Sequence, residues 1–254
     1  MQIIVLMKQT FDTEEKVVIE GGAIREDGVN FIINPYDEYA VEEAIKIKEQ
    51  TGGEVTIVTV GSSRSESAIR TALAMGADQA ILIEQEADAD EYTIAQLIVA
   101  ALKDKPFDLI LGGNMAVDSG AGQVAIRVAE ALGIAHVGSI TKLTLSGRTA
   151  TVERDAEGDV ETIEVALPFL ATAQQGLNEP RYPSLPGIMK AKKKPLEVTS
   201  AANLGLDADA IRARTVVLNQ YLPAKKTAGK VLSGNLAEQA QTLAQLLRQE
   251  ANVI

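Results

Sequence analysis

From Gly112 to Gln123 the chain reads GGNMAVDSGAGQ, small and flexible residues where a backbone could approach a ligand closely. The stretch follows an apolar strand pattern and opens a helical one. Its backbone N–H groups could therefore cradle a phosphate against the positive end of a helix dipole. The spacing is neither G-x-G-x-x-G nor a Walker A loop, which needs Gly-Lys-Ser/Thr, and a plain strand-to-helix turn would look similar. Asn34-Pro35-Tyr36-Asp37 opens another helix that could face the same crevice, although a good helix start accounts for those residue types by itself.

A second stretch, TAQQGLNEPRYPSLPGIMKAKKK (172–194), points to contact rather than catalysis. Prolines punctuate it, Leu185 stands between Ser184 and Pro186, and a lysine-rich short helix follows in an otherwise acidic chain. Such a segment suits the surface of another protein. The other reading is an ordinary connector whose leucine folds back onto its own core.

No set of residues forms a catalytic constellation. The chain contains no cysteine, which excludes disulfides, thiolate metal sites and Cys nucleophiles, and its single histidine, His136, excludes a multi-histidine metal centre. There is no G-x-S-x-G elbow. His136 lies between a helix end and a strand, where a structural role is the ordinary one. Acidic pairs such as Asp88/Asp90 read as solvated turns. We therefore expect no catalytic residue and no metal.

The elements that would position these residues follow from periodicity. QIIVLM (2–7), EVTIVTV (54–60), QAILIE (79–84) and FDLILGG (107–113) are apolar runs of the kind found in buried strands. Helical patterns lie between them, over Asn34 to Gly52, about Glu66 to Met75, 91–104 and Gly120 to Leu132. Alternating strands and helices build right-handed βαβ units and a doubly wound, mainly parallel α/β sheet. Near residue 138 the period changes to two, and the segments from SITKLTLSG through LPFLATA read as appended antiparallel strands. RTVVLNQYLP (214–223) reads as a further extended segment, and a Lys225-Lys226 linker leads to a C-terminal helix over 236–251. These divide the chain into an α/β domain over 1–200 and an extension over 201–254.

Composition agrees with that plan. The 254 residues are 46% hydrophobic but only 4% aromatic, so the core is aliphatic. A formal net charge of −11 argues against nucleic acid as a general partner. The apolar run after Met1 is too short for a signal or membrane segment, so the chain is expected to be soluble and cytoplasmic. In a doubly wound sheet, ligands sit beyond the carboxyl ends of the strands, near the point where strand order reverses. That places the loops after Leu6, after Val60 and after Gly113 around one crevice.

Five segments together resemble one family, the beta subunits of electron transfer flavoproteins. They are NPYDEYAVEEAIKIKE (34–49), IRTALAMGADQAI (69–81), GNMAVDSGAGQV (113–124), VERDAEGDVETIEVALPFLAT (152–172) and LNEPRYPSLPGIMKAKKK (177–194). The resemblance implies a Rossmann-like fold of the adenine nucleotide alpha hydrolase type and a heterodimer with an alpha subunit. That partner would hold most of the FAD, while this chain binds a structural AMP. By motif, AMP contacts would come from Leu6, from Asn34, Pro35, Tyr36 and Asp37, from Val60, and from Asp118, Ser119, Gly120, Ala121, Gly122, Gln123 and Val124. These are the strand-end loops singled out by the sheet argument.

The resemblance also implies a recognition loop over 182–194, with Tyr182, Leu185, Pro186, Ile188, Met189 and Lys190 against a partner and Leu185 as its anchor. One apolar side chain in a closed pocket is worth about 2 kcal/mol, enough to anchor without locking. The implied partners are acyl-CoA and related dehydrogenases, as in fatty acid oxidation, and a quinone reductase or other acceptor. The glycine-rich loop is shorter than in mammalian relatives, and an aromatic that approaches the flavin in some relatives is matched here by Thr13. In the C-terminal helix, Leu236, Ala240, Leu243, Leu246 and Leu247 would pack on alpha or on their own domain. Two alternatives stand: an electron-bifurcating subunit with a second FAD in place of AMP, or a nucleotide-hydrolysing or nucleotide-sensing protein of the same fold.

Overall fold

The computed structural model describes residues 1–85, 89–225 and 229–253; Asp88 and Lys226, named above, lie outside them. In chain order the strands are β1 (Gln2–Leu6), β2 (Gln9–Phe11), β3 (Ile19–Glu20), β4 (Ala23–Ile24), β5 (Phe31–Ile33), β6 (Glu54–Gly61), β7 (Gln79–Glu84), β8 (Leu109–Gly113), β9 (Ala135–Ser146), β10 (Thr149–Ala156), β11 (Asp159–Ala166), β12 (Phe169–Ala173) and β13 (Leu196–Ser200). The helices are α1 (Pro35–Thr51), α2 (Glu66–Met75), α3 (Glu91–Leu102), α4 (Val124–Leu132), α5 (Leu185–Ala191) and α6 (Leu236–Gln249).

Nine strands form one sheet in the order β11-β10-β9-β12-β8-β1-β6-β7-β13. From β9 to β13 all neighbours run parallel, and only β10 and β11 are antiparallel to theirs. The fold is thus the doubly wound α/β architecture expected. The chain lays β6 and β7 on one side of β1, then returns to lay β8 on the other, so strand order reverses at β1.

Helices cover both faces, which is why the central strands are apolar in continuous runs rather than by alternation. One face buries Ile3, Val5, Ile57 and Leu109 with residues of α1 and α2. The opposite face buries Ile4, Val58, Ile81 and Ile110 with residues of α3 and α4.

Three local expectations are corrected. LPFLATA is not part of the antiparallel set: β12 lies inside the parallel sheet between β8 and β9, and all five of its residues are buried. A strand buried on both faces carries no alternation to read. α4 begins at Val124 rather than Gly120, because Gly120 and Gly122 hold left-handed φ values of +65° and +60° that a helix cannot include. Residues 214–223 form no strand, and the parallel edge strand β13 was not anticipated.

The described residues group into two compact units. The first comprises Met1–Val18 and Arg25–Leu218, and therefore carries the whole nine-stranded sheet. The second comprises Ile19–Ile24 and the chain from Asn219 onward. In this second unit Gln220 receives the Ile24 N–H on its side chain and donates its own N–H to Gly22. α6 starts with a capping box, Asn235 and Glu238 each accepting the other's backbone N–H, and none of its side chains is buried.

Candidate functional site: the crevice at the sheet's switch point

α1 points its first turn at the carboxyl ends of β1 and β8, and two side chains there bind backbone rather than cap the helix. Asp37 accepts the Lys8 N–H at 2.7 Å on one oxygen and the Gly113 N–H at 2.9 Å on the other. It thereby ties the strand ends that flank the reversal. The approach is close enough to demand glycine at 113, where a Cβ would fall 2.2 Å from the Asp37 carboxylate and 2.7 Å from Tyr36 Cβ. Burial pushes the Asp37 carboxyl up to about 7, against the lowering pull of the Lys8 N–H, the Asn34 side chain and the Gly113 N–H.

Asn34 occupies the N-cap position of α1, as the sequence predicts, but its side chain makes no cap bond. Instead its amide donates to Met115 O at 2.9 Å and its carbonyl accepts the Val117 N–H at 3.1 Å. The side chain therefore fixes the start of the glycine-rich loop. Lys8 reaches the same loop by an ion pair with Asp118 at 2.7 Å.

Beyond these strand ends lies a cavity of about 1030 Å³. Its base is apolar, with Leu6, Val58, Val60, Ile94 and Ile98. Its far wall comes from residues 201–217, including Leu206 and Ile211. Asp90 holds that wall in place: it caps α3 through the Thr93 N–H and also accepts the N–H groups of Arg214 and Thr215 at 2.6 and 2.9 Å. Thr93 adds a hydroxyl bond of 2.7 Å to Ile211 O. Burial alone would raise the Asp90 pKa, but these donors outweigh it and bring it down to about 2. Asp90 is thus a buried anchor, not the solvated turn residue expected.

Of the residues implicated by sequence, Leu6, Asn34, Asp37, Val60, Ser119, Ala121, Gly122, Gln123 and Val124 line this cavity. Pro35 and Tyr36 lie behind them in the first turn of α1, and Asp118 and Gly120 are off the wall. Sequence reasoning missed Lys8, Asp90 and the 201–217 wall. Only Asp90 carried a readable signal, an Asp three residues before Thr93 at a helix start.

The crevice has the features an anionic nucleotide needs. α4 starts without a side-chain cap, because the Gln123 side chain turns back to accept from Arg127 at 2.8 Å. Its first N–H groups are therefore left to whatever lies in the cavity. A Cβ on Gly122 would fill the space 3.4 Å from Asn114 O. Lys8 lies on the wall as well, its ammonium paired with Asp118. Among the described residues no cluster of His, Cys, Asp or Glu could hold a metal ion.

The 177–194 segment lies on the α1 and α2 side. Ser184 caps α5 by accepting the Gly187 N–H at 3.1 Å, and Leu185 and Pro186 form the first helical positions. Leu185 does not fold back: it is 80% exposed, with Tyr182 at 95% and Met189 at 73%. Ile188 and Lys190 are exposed beside them. The lysine run divides. Lys194 turns inward to Leu73 O and Ala77 O at the end of α2, where burial lowers its pKa, while Lys190, Lys192 and Lys193 face solvent. His136 is exposed on β9.

Fold and crevice define a doubly wound α/β protein with a cavity at the reversal of strand order. Residues 21–204 match the electron transfer flavoprotein domain. The chain is 59% identical to the electron transfer flavoprotein subunit beta of Bacillus subtilis, with both chains covered in full. It is 35% identical to the human subunit beta, over 90% of this chain and 91% of that one. It is also 35% identical, over 92% of each chain, to the caffeyl-CoA reductase-Etf complex subunit CarD of Acetobacterium woodii. The chain belongs to the electron transfer flavoprotein family, among its beta subunits. No helix among the described residues is long and apolar enough to cross a membrane.

Proposed function

We propose that this chain is the beta subunit of a heterodimeric electron transfer flavoprotein that holds AMP in the switch-point crevice. The observation that carries the reading is the coincidence of the cavity of about 1030 Å³ with an uncapped helix start and a glycine loop. Leu6 and Val60 offer apolar surface for the base, and the N–H groups of Ser119 and of 121–124, with Lys8 beside them, suit the phosphate. FAD, held mainly by the alpha subunit, supplies the electron-accepting chemistry when bound. This chain's residues shape, dock and orient.

Docking falls to Leu185 with Tyr182, Pro186, Ile188, Met189 and Lys190, whose exposure leaves them free for a partner such as an acyl-CoA dehydrogenase. A quinone reductase or another acceptor receives the electrons. Of the 201–254 extension, the part beyond the 201–217 wall packs on alpha. In support, α6 buries no side chain within this chain, and Leu236 and Leu243 stand exposed.

The cavity is at the upper end of the usual range for small-molecule sites, roughly 300–1,000 Å³, so a second FAD is the competing occupant. Extraction of the purified heterodimer decides between them. One FAD and one AMP per dimer supports the proposal. Two FADs per dimer overturn the AMP assignment in favour of a bifurcating subunit. ATP turnover by the heterodimer would favour the hydrolase reading.

A further inference from the structure

The exposed docking segment sits on a support that is not flexible. Arg181, immediately before Tyr182, lays its guanidinium across the outer face of α1. It donates to Glu42 at 2.8 and 3.0 Å and to Glu49 at 2.6 and 3.0 Å, and its backbone N–H adds a bond to Glu42 at 3.2 Å. Glu42 is buried and Glu49 exposed, so the fork spans from core to surface. One turn earlier, Asn178 donates to Tyr39 O at 3.0 Å and Glu43 at 2.9 Å. A planar guanidinium engaging two carboxylates fixes direction as well as distance, which a single point charge does not.

The far end of the segment is held with equal care. Arg70 of α2 donates to Ala191 O and Lys194 O, both at 2.9 Å. Between the two ends α5 lies so close to α2 that a Cβ on Gly187 would fall 2.4 Å from Ala74 O. Tyr182, Leu185 and Met189 are thus presented on a short arch pinned at both feet. A free loop would lose conformational entropy on every encounter, whereas a pinned one has lost it on folding.

We propose that Arg181 is a positioning residue for docking: its grip on Glu42 and Glu49 holds Leu185 in the binding arrangement before a partner arrives. The inference rests on the reading of Leu185 as the anchor. It adds that affinity depends on a residue which touches no partner.

The test uses the intact, flavin-loaded heterodimer with a purified acyl-CoA dehydrogenase and its substrate. KM for the heterodimer is measured for wild type, Arg181→Ala, Arg181→Lys, Leu185→Ala and the Arg181→Ala/Leu185→Ala double variant. Arg181→Ala should raise KM about tenfold, equivalent to about 1.4 kcal/mol, with kcat at saturation and reduction by dithionite unaltered. Arg181→Lys should recover part of the loss. In the Leu185→Ala background the arginine substitution should add less than about twofold, since it acts through that leucine. Hydrogen exchange across 182–194 should quicken in Arg181→Ala.

If Leu185→Ala leaves KM unchanged, the anchor reading fails and takes this inference with it. If Leu185→Ala weakens docking and Arg181→Ala does not, or the two effects simply add, only the positioning role is overturned. Should Arg181→Ala lose flavin or melt early because Glu42 is left unpaired, Glu49→Ala replaces it. That variant removes the exposed half of the fork without orphaning a buried charge, and an unchanged KM and exchange rate there would also overturn the proposal.

Discussion

Replacing Asp37 by Asn should remove a pH dependence of stability that this one carboxyl imposes. Burial raises its pKa from 3.8 to about 7 in the folded chain, overcoming the Lys8 N–H, the Asn34 side chain and the Gly113 N–H that favour the anion. A raised carboxyl pKa means the folded state binds the proton more tightly. The stabilisation is therefore fully present below the unfolded value and is lost as pH rises through about 7. Near pH 5 the folded chain carries close to one extra proton and near pH 7 about half of one, so stability falls by about 1.4 kcal/mol per unit at first and by ~2.3 kcal/mol over the two units.

The Asn variant has no such slope. Its amide NH₂ must face either the Lys8 or the Gly113 N–H, which costs about 1–3 kcal/mol at every pH. The variant should accordingly be clearly weaker than wild type at pH 5 and closer to it at pH 8. Urea midpoints of both proteins across that range provide the measurement. Parallel curves would refute the reasoning, because they would mean that the hydrogen bonds keep Asp37 ionised throughout.

Asn34→Ala should cost about 1–3 kcal/mol, mostly by stranding the Val117 N–H rather than by loosening α1, and should weaken nucleotide retention; adenine released on dialysis and melting temperature read the two effects separately. Asp90→Ala should free residues 211–215 from α3, seen as faster hydrogen exchange at Arg214 and Thr215. The depressed pKa of Asp90 makes its stabilisation present above pH about 4 and lost as pH falls through about 2, and an acid-unfolding midpoint that does not move in the variant would refute this. Gly113→Ala places a methyl against the Asp37 carboxylate and Tyr36, so destabilisation of about 1–3 kcal/mol or more is expected in thermal melts.

The parallel strands, the βαβ order and the helix start at Pro35 were legible because they depend on local rules: apolar runs, proline at the first turn, glycine at the stop. The three strand-end loops then followed from topology alone. What escaped was set by contacts distant in the chain. β12 could not be oriented, since a strand buried on both faces looks the same wherever it is inserted. The wall at 201–217 owes its position to Asp90 and Thr93, more than a hundred residues earlier. Asn34 was rightly placed at the helix start but its side chain serves the loop at 115–117, which no spacing within α1 could reveal.

A common device runs through both regions. In the crevice, Asn34, Asp37 and Asp90 direct their hydrogen bonds to the backbone of loops contributed by other elements. On the docking side, Arg70 and Lys194 bind carbonyls of the segment and of α2, while Arg181 holds the same segment through side chains of α1. In each case a polar group fixes a stretch of chain that has little regular structure of its own, and small or exposed apolar residues are left facing outward. On the function proposed above, a subunit that receives a nucleotide in one place and releases a redox partner in another would benefit from that division. Rigidity obtained from internal hydrogen bonds lowers the ordering cost of binding without adding contact area, so partners can be recognised and still dissociate quickly.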